Sequence, residues 1–304
     1  MTTPLTHPNN HERLFIGLAL ASLYLIWGTT YLGIKWAVEG FPPFLMGAIR
    51  FMAAGVLLLL FLWLNKAPLP TARQWRNSAI VGLFLMGGGM GLVALGQSMG
   101  VASGLAATIV ASGPMWISLF AGLSGQWPVR MEWVGMVLGL AGVGFLSLEG
   151  NLQANPLAML LVVLAPICWS AGSILSRKVD MPLGLMASAS GMLMGGVVML
   201  GISLLSGERL SAVPALKSWL ALGYLTVFGS IIAYSAYMYV LARVRPTIAT
   251  SYTYINPIIA VLLGVWLDRE PIGAWAWVGL AVILLGVGII ATARHRGQSG
   301  KGLS

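Results

Sequence analysis

Six stretches of this chain carry aromatic, hydroxyl and amide side chains at the spacing that lines up one face of a helix. Tyr24, Trp27 and Tyr31 fall three and four residues apart, with Thr30 beside them. Thr108, Ser112 and Trp116 are each four apart, as are Trp169 and Ser173. Ser230, Tyr234 and Tyr237 form a further set, Tyr252 and Asn256 another with Thr253 adjacent, and Gln97 and Ser98 complete the series. Residues related by three or four positions share a helical face, so each set presents one polar and aromatic stripe. Such side chains hold a small solute by ring contact and hydrogen bonding, but they do not activate water or bind a metal. Groups that do are absent from the apolar segments. His7, His11 and His295 lie near the termini, and Glu12, Glu39, Glu132, Glu149, Asp180, Glu208, Asp268 and Glu270 fall in loops or at helix ends. Hydrolytic and metal-dependent chemistry needs clustered His, Asp or Glu, so no enzymatic activity, catalytic residue, metal or cofactor is expected.

The elements carrying these stripes are set by composition. Hydrophobic residues make up 58% and charged residues 8%, a balance outside the range of soluble domains. Apolar runs of about 20 residues, the length that crosses a bilayer, recur along the whole chain. The expected spans are 14–34, 44–63, 78–98, 104–125, 133–148, 157–176, 183–205, 219–241, 247–267 and 275–293, the fifth being short. Backbone groups in lipid must be satisfied within the segment, which requires helices. The fold expected is therefore an all-α polytopic membrane protein with ten transmembrane helices. Ala19-Leu20-Ala21 imitates a signal cleavage site, but only about five apolar residues precede it, so the first span is expected to be retained. Cys168 is the single cysteine, which excludes an intrachain disulfide.

The chain is also written twice. Trp27 to Lys35 (WGTTYLGIK) returns 142 residues later as Trp169 to Arg177 (WSAGSILSR), and Trp133 to Gly144 returns at an offset of 144 as Trp277 to Gly288. Two units, 14–148 and 156–293, follow, with 1–13 and 294–304 as tails. Five spans per unit is an odd number, so the units point in opposite directions: two inverted five-helix repeats, as is typical of transporters. With the N-terminus inside, twelve Lys and Arg fall in cytoplasmic segments and four on the opposite side. That bias places both termini in the cytoplasm, and it explains the net charge of +9 without invoking a nucleic-acid partner.

The striped helices form three repeat-related pairs: first with sixth, third with eighth, fourth with ninth. Symmetry then predicts a central aqueous cavity between the units, with a small-molecule substrate bound by Trp27, Thr30, Tyr31, Gln97, Ser112, Trp116, Trp169, Ser173, Tyr234, Tyr237, Tyr252 and Asn256. The competing reading is that tyrosine and tryptophan mark the lipid interface and hydroxyls bond to their own helix. Arg50 is the one charge deep within a span, where a central arginine costs about 2.5–3.5 kcal/mol on insertion scales. Structural anchoring and contact with an anionic substrate group both account for it. Pro114 and Pro257 match across the repeats, and with Pro166 they should kink or break their helices. The matched pair marks a hinge or a static kink. Gly87 to Gly91, Gly135/Gly139 and Gly191/Gly195 are read as close helix contacts.

WGTTYLGIK, FPPFLMGAIRFMAAG with its Arg50-Phe51, MEWVGMVLGLAG and ATSYTYINPIIAVLLG, in that order, resemble the EamA-type family of the drug/metabolite transporter superfamily, and most of all its YedA-like exporters. The resemblance covers residues 14 to 293. It implies ten helices in two inverted repeats, cytoplasmic termini, and export of amino acids, metabolites or cationic drugs through a central cavity; the function expected is export of small amphipathic metabolites, amino acids or drug-like compounds, by alternating access across the cytoplasmic membrane. A monomer or weak homodimer in the bilayer is expected. A membrane receptor or assembly protein, or a lipid or head-group carrier, is the alternative. The chain departs from the family in one respect: a Glu frequent before the fifth and tenth spans is matched by Glu270 in the second unit, while Trp127 stands in the first.

Overall fold

A computed structural model describes residues 10–123, 125, 127, 130–147, 155–244, 246–269, 273–275, 277–282, 284–286 and 289. The expectations for residues 1–9 and 294–304 of the tails, and for Glu149 and Glu270, lie outside the described residues. Those described are helical, with no strand among them. Among the described residues, seven helices are long and apolar enough to cross a membrane: α1 (His11–Val38), α2 (Pro43–Leu64), α3 (Ala72–Ser98), α4 (Ser103–Gly122), α6 (Pro156–Ser176), α7 (Leu185–Leu205) and α8 (Leu216–Arg243). The fifth, ninth and tenth expected spans are shorter in their apolar parts. They correspond to α5 (Arg130–Ser147), α9 (Tyr252–Asp268) and α10 (Trp277–Gly286).

Local chemistry sets the helix ends. Pro43 starts α2, where a missing N–H costs nothing. Thr71 and Gln74 cap α3 reciprocally. Glu208, on the loop after α7, accepts from the amides of Phe44 at 3.1 Å and Leu45 at 2.8 Å and so caps α2 from the other half of the chain.

The proline expectations divide. α4 is interrupted by a turn at Ala111–Ser112, and Pro114 sits in the first turn of its second half, where proline is tolerated. Pro257 lies inside an unbroken α9; the interruption in that half comes earlier, at Thr250–Ser251, after a single turn over Pro246–Ala249. This is why the ninth span is short. α6 also runs through Pro166 without a break.

A feature absent from the proline and glycine readings relates the halves. α3 contains a stretch of wide π-helical turns from Leu83, and α8 contains one from Leu225. These starting points are 142 residues apart, the same offset as Trp27 and Trp169. α1 has a shorter wide stretch, Leu23–Trp27, and at the corresponding level α6 has Pro166. Each device takes carbonyls out of the regular ladder midway along a helix, and such turns concentrate at functional sites.

Packing relies on glycine where backbones meet. α2 lies along α7, and a Cβ on Gly55 would stand 2.5 Å from the Leu193 nitrogen, one on Gly196 2.7 Å from that of Met52. Between α3 and α7, a Cβ on Gly82 would meet the Gly195 Cα at 2.7 Å. Gly286 of α10 crosses α5 at Gly135 and Gly139 in the same way. The close-contact reading therefore holds for Gly195, where a Cβ would stand 2.5 Å from the Met86 sulfur; at the α5–α10 crossing the glycine that leaves room only for hydrogen is Gly286, and a Cβ on Gly139 would meet nothing within 4 Å. Facing outward, α2 exposes Leu57, Leu60, Phe61 and Leu64, an apolar surface suited to lipid.

Polar contacts identify the two ends of the bundle. At one, Asp268 binds Lys35 at 2.5 Å and accepts from Trp36 Nε1 at 2.8 Å, while Lys217 binds Glu39 at 2.9 Å. At the other, Asn77 donates to the Asp180 carbonyl at 2.9 Å, and Arg177 Nη1 donates to the carbonyls of Leu241 and Val244. These serve below as the Asp268 end and the Arg177 end.

Candidate functional site

Midway along the bundle is a cavity of about 60 Å³. Trp27, Thr30, Tyr31 and Ile34 bring α1 to it, Arg50 brings α2, and Gly89, Met90 and Val93 bring α3. Val110 and Gly113 reach it from the break in α4; Ala165, Pro166, Trp169 and Ser170 from α6; and Thr250, Tyr252, Thr253 and Asn256 from the break before α9 and its first turn. The interrupted backbone is thus confined to a cavity wall, where polar main chain is tolerated at membrane depth. Drug-sized ligands occupy pockets of about 300–1,000 Å³, so the cavity as it stands is smaller than such a pocket.

Hydrogen bonds lock most of the wall. Trp27 Nε1 donates at 2.9 Å to the carbonyl of Gly229, in the wide turns of α8. Ser170 Oγ donates to the Gly113 carbonyl at 3.1 Å across the break in α4. Thr30 Oγ1 and Thr253 Oγ1 return to carbonyls three residues back, at 2.7 and 2.8 Å. Arg50 is 1% exposed; its Nε donates to Ser230 Oγ at 2.7 Å and its Cζ lies 4.7 Å from the Phe51 ring centroid. Four wall atoms are buried without a hydrogen-bond partner: Arg50 Nη2, Trp169 Nε1, and Asn256 Nδ2 and Oδ1. A buried polar group left unpaired costs about 1–3 kcal/mol, more when charged, so these atoms favour a guest that pairs with them.

Toward the Arg177 end the cavity is closed by rings. Trp27 and Trp169 meet edge to face at 5.5 Å, and Trp27 and Tyr252 at 4.7 Å. Tyr237 packs on Trp27 at 5.3 Å and on Trp169 at 5.2 Å, and its hydroxyl is bonded to Ser173 Oγ at 2.6 Å.

Of the twelve residues expected to line a cavity, Trp27, Thr30, Tyr31, Trp169, Tyr252 and Asn256 stand on its wall. The other six are elsewhere. Tyr237 and Ser173 form the layer beneath it. Gln97 is buried, its amide donating to the Tyr31 carbonyl at 3.1 Å. Tyr234 is fully buried with its hydroxyl against Gly191. Ser112 closes the turn in α4 by bonding to Ile109 O at 2.8 Å, and Trp116 is half-buried on the second half of that helix. The expectation that α8 lines the cavity and α2 stands outside it is reversed: α8 contributes ring packing and the Gly229 carbonyl, and α2 contributes Arg50. Sequence reasoning missed Ser170 and Thr250, which lie beside named stripe residues. It also missed Gly89, Met90 and Val93, whose apolar types gave no signal.

Trp127, at the position of the missing acid, packs its ring against Gly122 and is otherwise exposed.

Comparison with known proteins agrees with this architecture. The chain is 43% identical over 277 residues to the inner membrane transporter YedA of Escherichia coli (strain K12), covering 91% of this chain and 90% of that one. It is 25% identical to the transporter YoaV of Bacillus subtilis (strain 168), covering 89% and 94%. A solved crystal structure superimposes with a TM-score of 0.70 at 21% identity, over 92% of this chain and 98% of that chain, which shows a shared fold. The EamA-like transporter family matches residues 14–148 and 156–292. With its membrane-length helices and both matched segments, the chain is a multi-pass membrane protein of the EamA-like transporter family.

Proposed function

We propose that the protein is a secondary exporter of small amphipathic metabolites, working by alternating access across the cytoplasmic membrane. In this reading residues 14–148 and 156–293 are two inverted five-helix repeats, and both termini lie in the cytoplasm. The Arg177 end is then cytoplasmic and the Asp268 end faces outward. The twelve-to-four distribution of Lys and Arg supports that orientation. The wide turns of α3 and α8, 142 residues apart, support the repeat. The breaks before Pro114 and before α9 serve as hinges, since a few residues between helix segments absorb the change in backbone angle.

The observation that carries the proposal is the pairing of Arg50 Nη2 with the Asn256 amide as unsatisfied buried groups on one cavity wall. Its lining holds a cation and no Asp or Glu. A carboxylate, whether on a simple acid or on a zwitterion such as an amino acid, accepts from the donors Arg50 Nη2 and Asn256 Nδ2, the ammonium of a zwitterion donates to Asn256 Oδ1, and the rings of Trp27, Trp169 and Tyr252 accept an apolar body. A solute bearing only positive charge would be repelled. The test is flux in proteoliposomes against a panel of amphipathic carboxylates, their amides and organic cations. Faster movement of carboxylates than in empty vesicles, abolished by Arg50→Gln, is the expected result. No acceleration of any solute would overturn the transport reading.

A further inference from the structure

A second hollow lies at the Arg177 end. It measures about 550 Å³ and is walled by Ser176 and Arg177 of α6, by the segment 181–187, and by Ser235, Met238 and Arg243 of α8. One face of α6 joins it to the central cavity. Pro166, Trp169 and Ser170 line the cavity, Ser173 holds the Tyr237 hydroxyl, and Ser176 and Arg177 line the groove. Steps of three and four residues stay on one helical face, and the rise from Ser170 to Ser176 is about 9 Å. Cavity and groove are therefore neighbours, and the layer between them along α6 is the Ser173–Tyr237 pair with the ring contacts of Tyr237.

The groove has the same electrical sign as the cavity. Arg177 and Arg243 stand on its wall as Arg50 does in the cavity, and the acids beside it are Glu12, 3.6 Å from Arg243, and Asp180, next to the wall residue Met181. Ser235 Oγ, also on the groove wall, is buried without a partner. The bond closing the passage joins two neutral hydroxyls. Neutral pairs are roughly half as strong as charge-assisted ones, which suits a contact that must open and re-form in each cycle.

We infer that this groove is the cytoplasmic access route to the cavity for anionic or zwitterionic solutes, and that Ser173 and Tyr237 form its gate. The inference rests on the transport reading and orientation above, but its test does not need the substrate. In a Cys168→Ser background a cysteine is placed at Thr253 on the cavity wall. Its reaction with membrane-impermeant methanethiosulfonates, one anionic and one cationic, is timed from each side in inside-out and right-side-out vesicles.

Tyr237→Phe, which keeps the ring, and Ser173→Ala, which alters the opposite partner, should each speed labelling from the cytoplasmic side by about three- to tenfold, the shift expected from losing one neutral hydrogen bond. Labelling from the other side should not speed up. Arg177→Gln with Arg243→Gln should erase most of the advantage of the anionic reagent from the cytoplasm. Monodisperse gel filtration of each variant checks folding. Rates indifferent to both gate substitutions, or a cytoplasmic anion preference left undiminished by the arginine substitutions, would overturn the proposal even where proteoliposome flux persists. Gate-dependent labelling without flux would instead count against transport while leaving the passage intact.

Discussion

Arg50 donates through Nε to Ser230 Oγ at 2.7 Å, while its Nη2 is buried on the cavity wall with no hydrogen-bond partner. One side of the guanidinium therefore ties α2 to α8, and the other is held in reserve. Anchoring, one of the two explanations weighed for this intramembrane arginine, is seen in the Ser230 bond, and the proposed substrate contact would use the Nη2 that this bond leaves over. A half-satisfied buried cation is costly, and the arrangement makes sense where the missing partner arrives with the solute.

Ser230→Ala should separate the two roles. It strips Nε of its partner and should destabilise the protein by about 1–3 kcal/mol, read as a lower unfolding midpoint in detergent. Arg50→Gln should cut carboxylate flux by about tenfold or more, the loss expected for one charge-assisted hydrogen bond. Arg50→Lys should recover part of the flux, because it restores charge without the planar fork.

Asn256→Ala should move stability and function in opposite directions. Neither amide atom has a partner in the substrate-free protein, so removing them should leave the thermal midpoint unchanged or raised. Flux should nevertheless fall by about tenfold, as for one lost hydrogen bond to a charged group. Equal losses in both measurements would mark Asn256 as structural.

Gly55→Ala should be far more damaging than Gly201→Ala. A Cβ on Gly55 would lie 2.5 Å from a backbone nitrogen of α7, which cannot move aside cheaply, whereas nothing lies within 4 Å of one on Gly201. The expected cost is about 1–3 kcal/mol for the first, from overpacking. The second should be neutral or stabilising by about 0.5–1 kcal/mol, since alanine favours helix over glycine. Urea or thermal unfolding of the two purified variants gives the comparison.

Asp268→Asn should weaken the end opposite the groove. Asp268 gathers Lys35, Trp36 and, at 3.9 Å, Lys217. The Lys35 and Asp268 side chains are 28% and 17% exposed, so about 1 kcal/mol or less is at stake. The difference from the native protein should shrink in molar salt, because exposed charges are screened there. A salt-independent loss would assign the effect to the Trp36 hydrogen bond instead.

Much of the fold was legible because it depends on composition and period. Stretches such as Pro43–Leu64 and Leu185–Leu205 are apolar throughout, and only helices satisfy such backbone in lipid. The doubling of WGTTYLGIK as WSAGSILSR is printed in the residues. So is the want of His, Asp or Glu inside the expected spans. The cavity was half legible, and the misplacements in α3 and α8 share one cause. A stripe read at 3.6 residues per turn assumes a regular helix, but wide turns at Leu83–Gly91 and Leu225–Ile232 add residues to the turn and rotate everything beyond them. Gln97 and Tyr234, both past such turns, accordingly face neighbouring helices, while Gly89, Met90 and Val93 face the cavity.

Sequence by itself determined that the chain is a doubled, all-helical membrane protein with one intramembrane cation and several aromatic stripes. Only tertiary structure decided what Arg50 meets, because its partner Ser230 lies 180 residues away. The same holds for Tyr237 and Ser173, whose bond forms where two helices cross. Such pairings are fixed by how glycine crossings let the helices approach and by the phase that each wide turn imposes, and neither is written in the local spacing of residues.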